Sequence, residues 1–328
     1  MVINLPTIKS KIQPTKSEFK VAKGKIVNCF YDGSDSGFGD FLRGSIHLYD
    51  LCKKHKLDFD VDLSYHPICK YFDLDSRFRY SKGDINCITQ QTKEKYGFAY
   101  YKYYMREVFQ TLSSTKDNEI KYIFSIFNWS CNIKPKHLID HNNHNQKLTE
   151  DCSTFFRERL KFSDIIKNSV ESELRDKNIK SFDLLHFRLG DNISFLNKNN
   201  DITQTPPNNE KCFQICLDKY TSNSLPIVVI SDSNELKKFI KNQAQELKLP
   251  FYVFHLESGH MQKRPSSLED EDGDFLYTED NLFYAVFDMK LISTARSAES
   301  FSVYPWGSGF LSWMAQIYNV PITLNKFK

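Results

Sequence analysis

Two rhythms of apolar and polar positions run along this chain. Short, nearly unbroken apolar stretches occur at KIVNCFYD (25–32), LDFDVDLS (57–64), KYIFSIFNW (121–129), SFDLLHFR (181–188), LPIVVIS (225–231) and PFYVFHL (250–256), and their length predicts strands. Between them, FLRGSIHLYDLCKKHK (41–56), AYYKYYMREVFQTL (99–112) and the segments around 208–221 and 233–247 space their apolar residues as helices do. Strands that alternate with helices predict an α/β fold with parallel sheets, and residues 25–64 form a first βαβ unit.

The alternation is interrupted once. Polar residues dominate 133–150, where HLIDHNNHNQKL has the composition of a long loop or linker, and the helical stretch 149–177 leads into a second set of strands. A chain of 328 residues is also too long for one ordinary core. Two α/β domains facing across a cleft are therefore expected, spanning 1–160 and 161–328.

Charge and cysteine content narrow the function classes. With 44 basic and 41 acidic residues, a net +3, the chain has no global pull towards nucleic acid or an anionic membrane. Lys53, Lys54 and Lys56 cluster at the end of a predicted helix, where cations offset the dipole. No run of about 18 apolar residues and no secretory leader is recognisable, so a cytoplasmic protein without an integral membrane segment is expected. Eight cysteines scattered in apolar segments without a CxxC pair are expected to be reduced and buried.

The candidate chemistry concentrates in LLHFRLGD (184–191). A buried strand there runs out into a loop and delivers His186, Arg188 and Asp191. The C-terminal ends of strands in an open α/β sheet face the ligand crevice, and a guanidinium there suits a diphosphate. A structural ion pair is the alternative for such an arginine. No metal site is expected: Asp58, Asp60 and Asp62 alternate along a strand and read as an exposed face, the acidic loop around Asp270 has Leu268 where a calcium ligand is needed, and His141 and His144 lack a third ligand.

LLHFRLGD resembles the HxRxGD signature of the fucosyltransferase superfamily that spans α1,2-, α1,6- and protein O-fucosyltransferases, with His186, Arg188, Gly190 and Asp191 in the matching places. Three further stretches follow that family's order. SGFGDFLRG (36–44) resembles its glycine loop, with Asp40 where Asn is usual; IVVISDS (227–233) resembles its strand ending in Ser/Thr-Asp; and the segment from Asp288 to Pro321 resembles its closing block, with Leu311 as an extra residue. The resemblance implies a GT-B-like fold and inverting, metal-independent transfer of L-fucose from GDP-fucose to a glycan hydroxyl. It also implies no cofactor beyond the donor, and donor contacts from Gly37, Phe38, Gly39, His186, Gly190, Asp191, Ser231, Asp232, Asp288, Gly307, Ser308, Gly309 and Phe310.

Arg188 is expected to stabilise the leaving diphosphate. Inversion needs a base for the acceptor hydroxyl, and Asp40 is the first choice over Asp32, Asp35 and His47. For Asp40, Asp232 and Ser308 a helix cap is the competing role. Another nucleotide sugar as donor, or a glycan-binding module without turnover, are the alternative functions.

Overall fold

A computed structural model describes residues 23–32, 37–74, 78–97, 100–126, 147–189, 208–256, 278–303 and 308–327. The first unit opens with β1 (Lys25–Cys29), α1 (Phe38–His55) and β2 (Asp58–Asp62), the βαβ unit expected. It continues with β3 (Asn86–Cys87), α2 (Ile88–Tyr96), α3 (Tyr100–Ser113) and β4 (Ile120–Phe124). These four strands form a sheet in the order β2-β1-β4-β3, parallel at every pairing.

The helical stretch expected over 149–177 is two helices, α4 (Glu150–Arg159) and α5 (Asp164–Asp176). Phe162 breaks it by bridging to Phe72, with Asp73 N–H donating to Lys161 O at 2.7 Å and Ser163 N–H to Tyr71 O at 2.9 Å. The backbone of 161–163 is thereby spent on the first unit instead of on a helix ladder.

The second unit contains β5 (Asp183–Arg188), α6 (Asn209–Asn223), β6 (Ile227–Ser231), α7 (Asn234–Glu246), β7 (Phe251–Tyr252), α8 (Glu279–Thr294), β8 (Ser297–Ser302), α9 (Gly309–Ile317) and β9 (Ile322–Lys326). All are parallel in the order β7-β6-β5-β8-β9. Strand order reverses between β5 and β8, which makes their C-terminal ends the crevice of a Rossmann-like sheet. The strand expected over 250–256 pairs only at Phe251 and Tyr252, at the sheet edge.

Burial along β5 separates two faces. Leu184 belongs with Val228, Ala298, Met314 and the first unit's Ile26, Phe41 and Leu42 in one core that runs through both units. Leu185 and Phe187 belong to a second core with Cys212, Leu236 and Ile240 of α6 and α7. Side chains alternate along a strand, so His186 and Arg188 share the face of Leu184 and look towards the first unit. Two Rossmann-like units packed face to face give the two-unit α/β layout that the alternation predicts and the GT-B-like one that the resemblance implies.

Among the described residues five cysteines are buried as small hydrophobes, and Cys69 and Cys87 are only half-buried. Cys29, Cys52, Cys152 and Cys212 are buried free thiols, and burial pushes each up to about 12. Asp60 and Asp62 correct the expectation of an exposed acidic strand face: both are buried, at 2% and 5% exposure. Asp60 is paired with Arg159 Nε at 2.8 Å, and Asp62 accepts from Ser64 Oγ at 2.6 Å and from the Tyr80 hydroxyl. Such pairing is what a buried carboxylate requires. Among the described residues no helix is long and apolar enough to cross a membrane.

Candidate active site

The C-terminal ends of β5, β6 and β8 bring the sequence-predicted residues of the second unit together. Arg188 ends β5, and its Nη1 donates to Asp232 Oδ2 at 2.5 Å. Asp232 follows β6, and its second oxygen accepts the Leu189 backbone N–H at 2.9 Å. Arg188 is thus fixed where the strand ends, with a quarter of its side chain still exposed (25%) and Asp232 largely covered (11%). The helix-cap alternative for Asp232 falls to its neighbour, since Ser233 caps α7 by accepting from Leu236 N–H at 3.2 Å.

His186 lies two residues earlier on the same face, 5% exposed, with Nδ1 3.0 Å from Ser300 Oγ on β8. Burial pushes the imidazole down to about 4; Asp232 and Asp288 pull it back up, and Arg188 pushes it further down. The ring is therefore neutral at physiological pH, and both carboxylates lie within electrostatic reach of it. Ser231, by contrast, is inward-facing mortar: its hydroxyl donates to Phe187 O at 2.8 Å and accepts the Ser233 N–H at 3.1 Å.

Asp288 stands in α8 and pairs with His255, which follows β7, at 2.8 Å between Oδ1 and Nε2. His255 and Ser300 are members of the cluster that sequence reasoning missed. For His255 the available signal was the one that marked Arg188, a polar residue closing an apolar run. Ser300 gave none, because β8 reads SAESFS and carries no apolar run.

The glycine loop meets this unit directly. Gly37 is the N-cap of α1 without a side-chain bond, and Phe38 is buried at 2%. A Cβ on Gly39 would lie 2.7 Å from Phe310 N and 3.2 Å from the Gly309 carbonyl carbon, so only glycine lets the starts of α1 and α9 abut. Ser308 caps α9 by accepting from Leu311 N–H at 3.4 Å, the capping role set against a donor contact. The N-terminal turns of two helices, one from each unit, thus meet, and helix N-termini favour an anion.

Asp40 lies in the first turn of α1 and is not its cap. Arg43 holds it, Nη2 to Oδ1 at 2.9 Å, and Arg43 Nε also donates to Ile126 O at 3.1 Å. The carboxylate remains 45% exposed. Asp32 is paired with Lys82, and His47 is buried in α1, where burial pushes it down to about 4. Gly190, Asp191 and Gly307 lie outside the described residues, as do Asp35, His141, His144 and the acidic loop around Asp270.

No protein-family model and no curated protein sequence matches the chain. Solved structures that resemble it include NodZ α-1,6-fucosyltransferase soaked with GDP-fucose, at a TM-score of 0.49 and 11% identity over 92% of this chain and 94% of that one. A mutant of Arabidopsis thaliana FUT1 in complex with GDP resembles it at a TM-score of 0.49 and 11% identity, over 92% and 70% of the two chains. POFUT1 in complex with GDP-fucose does so at 0.44 and 10% identity, over 95% and 99%.

Proposed function

We propose that the protein is a glycosyltransferase that moves L-fucose from GDP-fucose to a glycan hydroxyl with inversion and without a metal. The observation that carries this reading is the strand-end cluster: the His186 and Arg188 of an HxRxGD-like sequence project from one face of β5 at the strand-order switch, towards the other unit. Residues 161–328 would bind the donor, and residues 1–160 the acceptor.

Transfer breaks the bond between the anomeric carbon and the β-phosphate oxygen while the acceptor oxygen attacks from the opposite face. Negative charge develops on the departing diphosphate. Arg188, already oriented by Asp232, supplies a fixed cation for it, and preorganised donors of this kind need no rearrangement at the moment of reaction. The abutting helix starts at Gly37–Gly39 and Ser308–Phe310 add backbone N–H groups. Asp40, held through one oxygen by Arg43, would take the acceptor proton with the other. The burial and pairing of Asp60 and Asp62 favour a metal-free route over one that uses this acidic strand.

Thermal unfolding in the presence of GDP, UDP and ADP tests the reading. GDP at about 100 times its Kd should stabilise by about 2.7 kcal/mol, and Arg188→Ala should remove the shift. Stabilisation by UDP in preference to GDP would transfer the proposal to another donor, and no response to any nucleoside diphosphate would overturn it. Turnover is then read as GDP released from GDP-fucose when glycan acceptors are added.

A further inference from the structure

The sheet of the second unit ends on β7, which pairs with β6 on one side only. An edge strand carries N–H and C=O groups that a further extended chain can take up. Among the described residues no strand lies on the outer side of β7. The helices on either side belong to different cores: Ile166 and Val170 of α5 to the one that joins the units, Leu236, Ile240 and Ala244 of α7 to the other. They therefore cover opposite faces of the sheet. A groove of about 430 Å³ lined by residues of both helices and by β7 thus lies along the sheet edge.

The groove is apolar along the strand and basic on both walls. Leu249, Tyr252 and Phe254 supply the apolar lining, and Lys177, Lys241 and Lys248 the charge, with Glu173 as the acid among the lining residues. Lys177 and Lys248 follow the C-terminal ends of α5 and α7, where cations offset the helix dipoles. Lys241 stands in the middle of α7 with Lys237, Lys238, Ala244 and Gln245 at helical spacing, so no acid of its own helix neutralises it. Leu247, an exposed large apolar side chain, precedes Lys248. Lysines beside an open edge repel a second copy of the same edge and attract an acidic one.

We propose that this groove is a docking surface for an acidic polypeptide segment of a partner protein, which adds to β7 as a further strand. Hydrogen bonds from the edge hold its main chain, a recurring mode of peptide recognition. Successive side chains of a strand point to opposite faces. One set therefore meets Lys177 on the α5 side, and the other meets Lys241 and Lys248 on the α7 side. The segment that fits carries acids on both of its faces, in adjacent pairs that alternate with apolar pairs for Leu249, Tyr252 and Phe254.

The test follows the fluorescence anisotropy of a labelled peptide of repeating Glu-Glu-Val-Val added to the full chain at about 0.15 M salt, where distant charges are screened. The wild type should bind it and ignore a Lys-Lys-Val-Val repeat. A repeat with proline in place of each valine keeps the charge but loses ladder donors, and should bind about tenfold more weakly or worse. The Lys177→Glu, Lys241→Glu, Lys248→Glu triple variant should lose about tenfold or more in affinity. The same change at Lys54, Lys56 and Lys116 of the first unit should stay within about threefold of wild type. Peptide binding should also slow amide exchange over 251–254.

Thermal unfolding verifies that the triple variant is folded, and the proline contrast, made on the wild type, stands without it. Equal affinity for the valine and proline repeats would reduce the contact to bare charge and overturn strand addition. Heparin bound in preference to the acidic repeat would assign the lysines to a sulfated glycan instead. No binding of the acidic repeat, or undiminished binding by the folded triple variant, would overturn the docking surface itself.

Discussion

The two ends of β5 carry the same kind of chemistry to opposite outcomes. At its start Asp183 is fully buried, and every direction around the carboxylate is filled: Arg296 donates through Nε at 2.9 Å and Nη2 at 2.7 Å, Ser297 Oγ at 2.8 Å and Asn223 Nδ2 at 2.9 Å. At its finish Arg188 has Asp232 as anchor and keeps a quarter of its side chain exposed. An ion pair saturated from within the chain staples the fold. The partly exposed ion pair at the finish stands at the strand-order switch, the place where open α/β sheets bind their ligands.

The largest effect that separates the ends should come from Asp183→Asn. The substitution leaves shape in place but removes the charge under a bidentate arginine and turns one acceptor into a donor. Burial alone would raise the Asp183 carboxyl, and the bonds from Arg296, Ser297 and Asn223 outweigh it and hold it below the usual carboxylate range. A loss of about 2–3 kcal/mol is expected, less than for a fully desolvated pair because Arg296 is half-exposed. Urea unfolding measures it, and the GDP affinity of the folded variant should stay within about twofold of wild type. A GDP affinity as damaged as that of Arg188→Ala would mean that the two ends are not separate devices.

Acidification should part the ends along the pH axis. The His186 ring is held down to about 4 in the folded protein against roughly 6.5 in an unfolded chain. Between those values the unfolded state binds more protons, so the contribution of the neutral buried ring is complete above about 6.5 and is lost as pH falls towards 4. His47, also held down to about 4, acts in the same sense and window. Asp183 works lower: its folded carboxyl is depressed, so its contribution persists down to about 3.9 and fades only below that. Stability at pH 7, 5 and 3 in wild type, His186→Gln and Asp183→Asn should show the histidine variant with a flatter decline between 7 and 5. The aspartate variant should differ from wild type at pH 7 and 5, and the difference should shrink only as pH falls below about 3.9. An unchanged slope in His186→Gln would mean that its burial is not coupled to folding.

The same contrast explains what could be read from residue order. β5 and β6 are legible because LLHF and IVVI are apolar on both faces, as a strand buried between two helix layers must be. β8 is not, because its inward residues are Ala298, Ser300 and Ser302, so the burial alternates while the polarity does not. Local rules fail there because Ser300 faces the buried His186 ring, which takes a hydroxyl as partner. The acidic alternation at 58–62 misleads for a different reason: Arg159 and Tyr80, far away in sequence or across a turn, convert Asp60 and Asp62 into buried staples. Spacing identifies a face, but only tertiary partners decide whether water reaches it.

The smallest effect belongs to the bond that joins β8 to the site. Ser300 Oγ lies 3.0 Å from His186 Nδ1, and the two residues are register partners across β5 and β8. A neutral imidazole has one donor and one acceptor nitrogen, and a hydroxyl can serve either, so Ser300 stabilises whichever tautomer the other ring nitrogen requires. Ser300→Ala leaves that nitrogen buried without a partner and should cost about 1–2 kcal/mol, with GDP affinity falling a few-fold as the ring loses its fixed orientation. Ser300→Thr keeps the hydroxyl, and the β-branched side chain suits a strand, so it should recover most of both losses. Recovery of stability without recovery of GDP affinity would show that the ring's orientation depends on more than this bond. An alanine variant equal to wild type in both measurements would remove β8 from the site and leave β5, β6 and α8 to form it alone.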